Sequence, residues 1–148
     1  MEPRRATLSD LPSLVPLFDA YRQFYRQPPD LLRAEAFLRE RLTRGDSVIF
    51  LADEPGTGLG FTQLYPTFSS VRTAPAWVLN DLYVAPAARG TGVAEALMQR
   101  ARRHAEETGA CYLELMTARD NSVAQRLYER LGWQRDEDYY HYELAVAR

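Results

Sequence analysis

Apolar positions along the chain change their period several times, and each change marks an element. Leu11, Leu14, Val15, Phe18, Tyr21, Phe24 and Tyr25 recur at three- and four-residue spacing. That spacing predicts a helix with one buried stripe, opening at Ser9 or Asp10 and ending before Pro28 and Pro29. Pro12 falls in its first turn, where a missing N–H costs little. A second stripe, Leu31, Ala34, Phe37, Leu38 and Leu42, starts at Asp30 and stops at Gly45. The period then shortens. Residues 47–52 and 59–65 read as two strands around a turn containing Asp53, Pro55, Gly56 and Gly58, an antiparallel hairpin. Residues 2–6 alternate in a way that permits a strand without demanding one.

Ser, Thr and Pro fill residues 66–75, which predict a loop, either a plain surface connection or a cover over a cleft carrying Phe68 and Val71. A strand over 76–84 follows, then Pro86, a glycine turn, and a long helix over 93–108 with Gly109 just past its end. Residues 111–117 predict a strand, 122–131 a short helix ended by Gly132, and 139–146 a closing strand. The order β-α-α-β-β-β-α-β-α-β predicts an α/β chain: a mixed, mostly antiparallel sheet of about six or seven strands flanked by about four helices. With neither repeat nor low-complexity linker, residues 1–148 read as a single domain.

Composition narrows the function classes. With 46% hydrophobic and 26% charged residues the chain has the makeup of a globular protein, not a disordered one. A formal charge of −2 and a pI near 5.7 give no general attraction to nucleic acid and suit a cationic or neutral partner. One cysteine makes no internal disulfide, the start has no signal-peptide pattern, and no apolar run approaches the roughly 20 residues that span a bilayer. The expected location is cytoplasmic, away from membranes. Nine tyrosines suit a wet aromatic cleft or interface, and equally suit packing.

The candidate chemistry centres on Arg89-Gly90-Thr91-Gly92-Val93-Ala94. A helix starting near Gly92 presents unpaired N–H groups and the positive end of its dipole, the two glycines allow close approach, and Arg89 adds a planar cation. An anion site and a tight strand-to-helix link both fit. Two nucleotide readings are disfavoured. Five residues, one of them Pro86, separate Val84 from Gly90, and Val93-Ala94 stands where a triphosphate-binding loop needs Lys-Ser/Thr.

Leu82-Tyr83-Val84-Ala85-Pro86 followed by this turn and Leu97 resembles the central motif of the GNAT superfamily of N-acetyltransferases, Arg/Gln-x-x-Gly-x-Gly/Ala, with Arg89, Gly92 and Ala94 in its defined places. Asn121, Ala124, Leu127-Tyr128 and Leu131-Gly132-Trp133 resemble the family's second segment, with Trp in place of the usual Phe. The resemblance covers about residues 77–133. It implies acetyl-CoA as co-substrate, its pyrophosphate on residues 89–94, its pantetheine arm paired to the backbone of Leu82, Tyr83 and Val84, and Asn121 and Ala124 beside it. It further implies a primary amine acceptor and direct transfer in a ternary complex. The 80–84 run and the 65–70 loop are similar to those of members that acetylate polyamines, histone-type lysines and other small amines, which implies a homodimer.

Within the resemblance Tyr128 is the candidate general acid, since the departing group is a thiolate that a phenol can protonate. On the residues alone, a Tyr on the packed face of a short helix fits as well. The base is open. Asn80 stands where polyamine-acetylating relatives often carry Glu, and an amide accepts no proton, which leaves Asp81 as base, as amine anchor, or as a backbone anchor beside a strand bulge. Cys111 reads as an inert core thiol rather than a nucleophile. His104, placed on the polar side of the long helix, and His141 lack metal-site spacing, so no metal is expected. Residues 100–103, basic at three of four positions, read as a solvated helix face more than as a contact for the adenosine 3′-phosphate. The aromatic 139–146 run suits the closing of a sheet, a dimer contact or an acceptor wall. A noncatalytic acyl-CoA sensor is the competing function class.

Overall fold

The computed structural model describes all residues, Met1 to Arg148, in two units, Met1–Met116 and Thr117–Arg148. In the first, β1 (Arg4–Arg5), α1 (Leu11–Phe24), α2 (Leu31–Arg44), β2 (Val48–Glu54), β3 (Thr57–Ser69), β4 (Ala74–Val84), α3 (Val93–Glu107) and β5 (Leu113–Glu114) follow one another in chain order. The sheet order is β1-β2-β3-β4-β5, antiparallel except for the β4–β5 pair, whose connection carries α3. The second unit holds α4 (Ser122–Arg130) and an irregular remainder.

Helix ends follow the local chemistry. The carboxylate of Asp30 accepts the Arg33 amide at 3.0 Å and opens α2, and Gly45, at a φ of 65°, closes it in the left-handed region that glycine tolerates best. α1 stops where Arg26 turns to a φ of 66°, ahead of the proline pair.

The sheet is covered on both faces. Ile49, Leu51 and Phe61 point to α1 and α2, where they join Leu11, Leu14, Leu17, Phe18, Ala34 and Leu38 in one buried cluster. The alternate residue Phe50 faces α3, with its ring 5.5 Å from that of His104 and the Arg100 guanidinium 4.3 Å from its centre. The period of two predicted for the strands is thus a division between two helical layers. At Gly60 the close approach is extreme. A Cβ there would lie 2.7 Å from Tyr83 O and 3.2 and 3.3 Å from side-chain carbons of Val93 and Leu97, so only glycine lets the first turns of α3 settle onto β3.

Four expectations change. Residues 66–75 are mostly not a loop: β3 runs to Ser69 and β4 begins at Ala74, with Pro66 paired opposite Trp77, so the Ser/Thr/Pro composition hides a long hairpin with a short turn. His104 lies on the buried side of α3, in line with Leu97 and Ala101, and packs 4.8 Å from the Trp77 ring. Burial, with Arg5 and Arg100 nearby, lowers its pKa and favours the neutral ring. Of the basic run, Arg102 pairs with Glu106 as a solvated face should, but Arg100 is tucked over Phe50. Finally, the sheet has five strands: of residues 111–117 only Leu113–Glu114 pair, and residues 139–146 form no strand.

Replacing Gly60 with Ala should lower the unfolding free energy by about 1–3 kcal/mol, the range for overpacking a filled site. Urea denaturation reads this as a lower midpoint at unchanged slope, and an unchanged midpoint would remove the close approach of α3.

Candidate active site

One extra residue in β4 builds the site. Gln63 pairs with Asp81 and Leu64 with Leu79, so Asn80 is bulged out of the ladder. Before the bulge Trp77 faces α3 and meets His104, whereas beyond it Asp81 and Tyr83 face α1. There the Tyr21 ring stands 6.5 Å from that of Tyr83, and its hydroxyl donates to Asn80 O at 3.2 Å. A regular strand would have kept residues 77, 79, 81 and 83 on one side.

The bulge places Asp81 in the interior, 2% exposed. Its Oδ2 accepts Gln63 Nε2 at 2.6 Å and its Oδ1 accepts Asn80 Nδ2 at 2.7 Å. Ser47 Oγ donates to Gln63 Oε1 at 2.8 Å, which turns the amide so that its N–H meets the carboxylate. Thr62 Oγ1 donates to the Asp81 carbonyl at 2.7 Å and fixes the backbone. Burial pushes the Asp81 carboxyl above the usual carboxylate range, while hydrogen bonds from Asn80, Gln63 and Tyr21 pull it back. Burial and the nearby Asp81 charge raise the phenols of Tyr21 and Tyr65, keeping both protonated. The result is a carboxylate more basic than a free one, reached past hydroxyl groups. Tyr21, Tyr25, Phe24 and Tyr83 form a chain of edge-to-face rings beside it.

The same strand offers a docking edge. β4 is paired to β3 along its length, but β5 covers its other edge only at Trp77 and Val78. Beyond that point, through Leu82, Tyr83 and Val84, the outer edge has no neighbouring strand, and an extended ligand with amide groups can pair there as a strand would. The edge leads through a single 3-10 turn, Pro86–Ala88, to the glycine turn. Gly90 and Gly92 have φ of 76° and 85°, with nothing within 4 Å of where a Cβ would stand. Thr91 is tied back by its hydroxyl to Ala88 O. The first α3 amide to meet a helical carbonyl is that of Ala96, bonded to Gly92 O at 3.0 Å, so the amides of Gly92, Val93 and Ala94 project from the N-terminus. Arg89 Nε donates to Val84 O at 3.0 Å and its guanidinium lies over the Tyr83 ring, which anchors the side chain between edge and turn. Phosphate at the turn and amides on the edge are what the donor groups fit.

In the second unit Asn121 is the N-cap of α4, its Oδ1 accepting the Ala124 amide at 3.3 Å. Asn121, Ala124 and Tyr128 share one helix face at spacings of three and four. Tyr128 is half-buried with its ring 6.3 Å from that of Trp133. Cys111 is half-buried rather than a core thiol; its amide donates to Pro75 O and its carbonyl accepts Arg72. No group of three or more His, Cys, Asp or Glu side chains is placed to hold a metal, and no helix is long and apolar enough to cross a membrane.

Sequence reasoning missed Tyr21 and Gln63 as partners of Asp81, and Ser47 as the partner of Gln63. The visible signal was Gln63, an amide between Phe61 and Tyr65 on one side of the strand.

The family model described as the acetyltransferase (GNAT) family matches residues 13–133. The chain is 47% identical over 146 residues to the uncharacterized N-acetyltransferase YhfO of Bacillus subtilis, covering 99% of this chain and 98% of that one. A crystal structure of a probable acetyltransferase, 42% identical, superposes with a TM-score of 0.93 over 100% of this chain and 99% of that one. The ribosomal-protein-alanine N-acetyltransferase of Brucella melitensis shares the fold, with a TM-score of 0.80 at 24% identity over 99% of this chain and all of that one. The bulged strand, its free edge and the glycine turn are therefore found in a chain that belongs to the GNAT family of acetyltransferases.

Proposed function

We propose that residues 1–148 form one cytoplasmic N-acetyltransferase domain that moves the acetyl group of acetyl-CoA directly to a primary amine, on a small polyamine-like or amino-acid-like molecule or a lysine side chain. The observation that carries this reading is the open outer edge of β4 leading into the glycine turn. The turn amides and Arg89 hold the pyrophosphate, and the edge at Leu82 to Val84 holds the pantetheine amides, with the Asn121 amide and Ala124 beside them. The amine nitrogen attacks the thioester carbonyl, a C–N bond forms, and the C–S bond breaks. Tyr128 gives its proton to the departing sulfur, and the ammonium proton of the attacking amine passes towards Asp81.

Asp81 sets the acceptor's charge. A buried carboxylate beside aromatic edges favours a cation with an apolar body, held by charge and ring contacts. At 2% exposure the carboxylate acts through the Tyr21 hydroxyl or a water, not by direct contact with a bulky amine.

A thiol-release screen over polyamines, amino acids and lysine peptides tests the activity. All 18 basic residues other than histidine are arginine, so acetyl-lysine found in a peptide assay belongs to the peptide. Tyr128→Phe should lower kcat by about 10²-fold or more, the range for a lost general acid, with acetyl-CoA affinity kept. Turnover near that of the unaltered chain at every pH would remove this role. For the unaltered enzyme, kcat/KM should rise with pH through a limb lying above the ordinary carboxylate value of about 4, because the base works only when ionised. Asp81→Asn should abolish that limb if the carboxylate takes the proton, or raise KM for the amine alone if it anchors the cation. A profile and KM both unchanged would exclude Asp81 from either role.

A further inference from the structure

The polar groups buried behind Asp81 have no explanation in stability. Gln63 and Ser47 are 0% and 4% exposed, and Gln63 lies within the core, with Phe61 on its side of β3 and Ile49 paired opposite. Each buried polar atom gives up water and recovers that loss only when it is paired. An apolar pair of the same shape in place of Ser47 and Gln63 would avoid the loss, and such exchanges are often neutral or stabilising. What an apolar pair could not do is meet a carboxylate.

While Asp81 is ionised, these groups have one consistent arrangement of donors. A carboxylate oxygen only accepts, so the Gln63 atom 2.6 Å from Asp81 Oδ2 must be Nε2. Oε1 then faces Ser47, whose hydroxyl donates to it at 2.8 Å. With the amide turned over, Oε1 and Oδ2 would meet as two acceptors at hydrogen-bond distance. Ser47 thus holds the amide in the orientation that stabilises negative charge on Asp81. The other groups facing the carboxylate are the Asn80 amide of β4 and the Tyr21 phenol of α1, with the Tyr65 phenol of β3 within reach of its charge. Arg41 of α2 and Asp46 act on Tyr65 and are paired to each other at 2.9 Å. Neutral donors therefore hold this charge in the interior, with no cation among the groups that act on it.

We infer that Gln63, oriented by Ser47, is a positioning residue for acetyl transfer: its Nε2 fixes the Asp81 side chain and keeps the carboxylate charged until the acceptor's proton arrives. The inference rests on the reading of Asp81 as the group that takes that proton. At 0% exposure Gln63 reaches neither amine nor thioester and acts only through Asp81. A donor N–H favours the ionised carboxyl, so its loss must let Asp81 bind a proton at higher pH.

NMR of the substrate-free protein, isotope-labelled at the aspartate side-chain carboxyl carbon, reads this directly, since the Asp81 signal is the one lost in Asp81→Asn. Gln63→Met should tighten proton binding at Asp81 by about 10–100-fold, the worth of one hydrogen bond to a charged group, and so move its titration to higher pH. Ser47→Ala, which frees the amide to turn, should move it the same way by less. If Gln63→Met does not fold, judged by its far-UV spectrum, Ser47→Ala carries the test alone. An Asp81 titration at the same pH in the unaltered chain and in the folded variants would overturn the inference. The pH profile of kcat/KM separates this failure from that of the reading beneath it. Its limb should move up with the Asp81 signal, whatever the height of the plateau. A signal that moves while the limb stays would remove Asp81 as the base, and with it any part of Gln63 in the transfer.

Discussion

The insertion of Asn80 into β4 is the constraint from which the site follows. Before it the strand's odd residues serve the α3 layer, with Trp77 against His104, and after it they serve the α1 layer, with Asp81 and Tyr83 against Tyr21. The same residue donates its side-chain amide to Asp81, and its backbone carbonyl accepts the Tyr21 hydroxyl. Removing the extra residue would restore a regular pleat and send Asp81 towards α3, away from the aromatic cluster. Asn80, whose amide looked like a missing base, is the residue that positions the carboxylate next to it.

The two edges of β4 differ in how far they are paired. Its inner edge is paired with β3 for ten residue pairs, and this rigid ladder holds the bulge, while its outer edge is paired with β5 only at its beginning. A parallel neighbour that parts from β4 leaves backbone donors and acceptors in register over Leu82 to Val84, and the glycine turn begins a few residues later. Gly60 completes the arrangement from the opposite strand, since α3 could not bring its N-terminus down to this edge over a side chain.

Much of this was legible because it depends on local period and punctuation. The stripes of α1, α2 and α3, the caps at Asp30 and Gly45 and the glycine turn each announce themselves within a few residues. Asp81 could be singled out, but its surroundings could not. Gln63 and Tyr21 come from β3 and α1, Ser47 reaches it only through Gln63, and a one-residue bulge decides which side chains it meets. Residues 66–69 and 74–75 looked like loop because Ser, Thr and Pro dominate there, yet pairing across the hairpin outweighs weak strand propensity. His104 was misplaced for a similar reason: a polar residue at the edge of an apolar stripe is taken inward when two rings, Phe50 and Trp77, are there to meet it. The closing strand failed as an element of the single chain although its alternation is clear, because a strand exists only when another strand pairs with it.

The proposed donor side uses backbone groups, which explains why its signature is glycine and spacing. The proposed acceptor side uses side chains from α1, β3 and β4. The open β4 edge and the glycine turn are proposed to form one acetyl-CoA site. Titration calorimetry with acetyl-CoA tests it most directly. Micromolar, one-per-chain binding that weakens at least tenfold on Gly92→Val, with the thermal midpoint kept, is the predicted result. Binding that is absent or millimolar in the unaltered protein would contradict it.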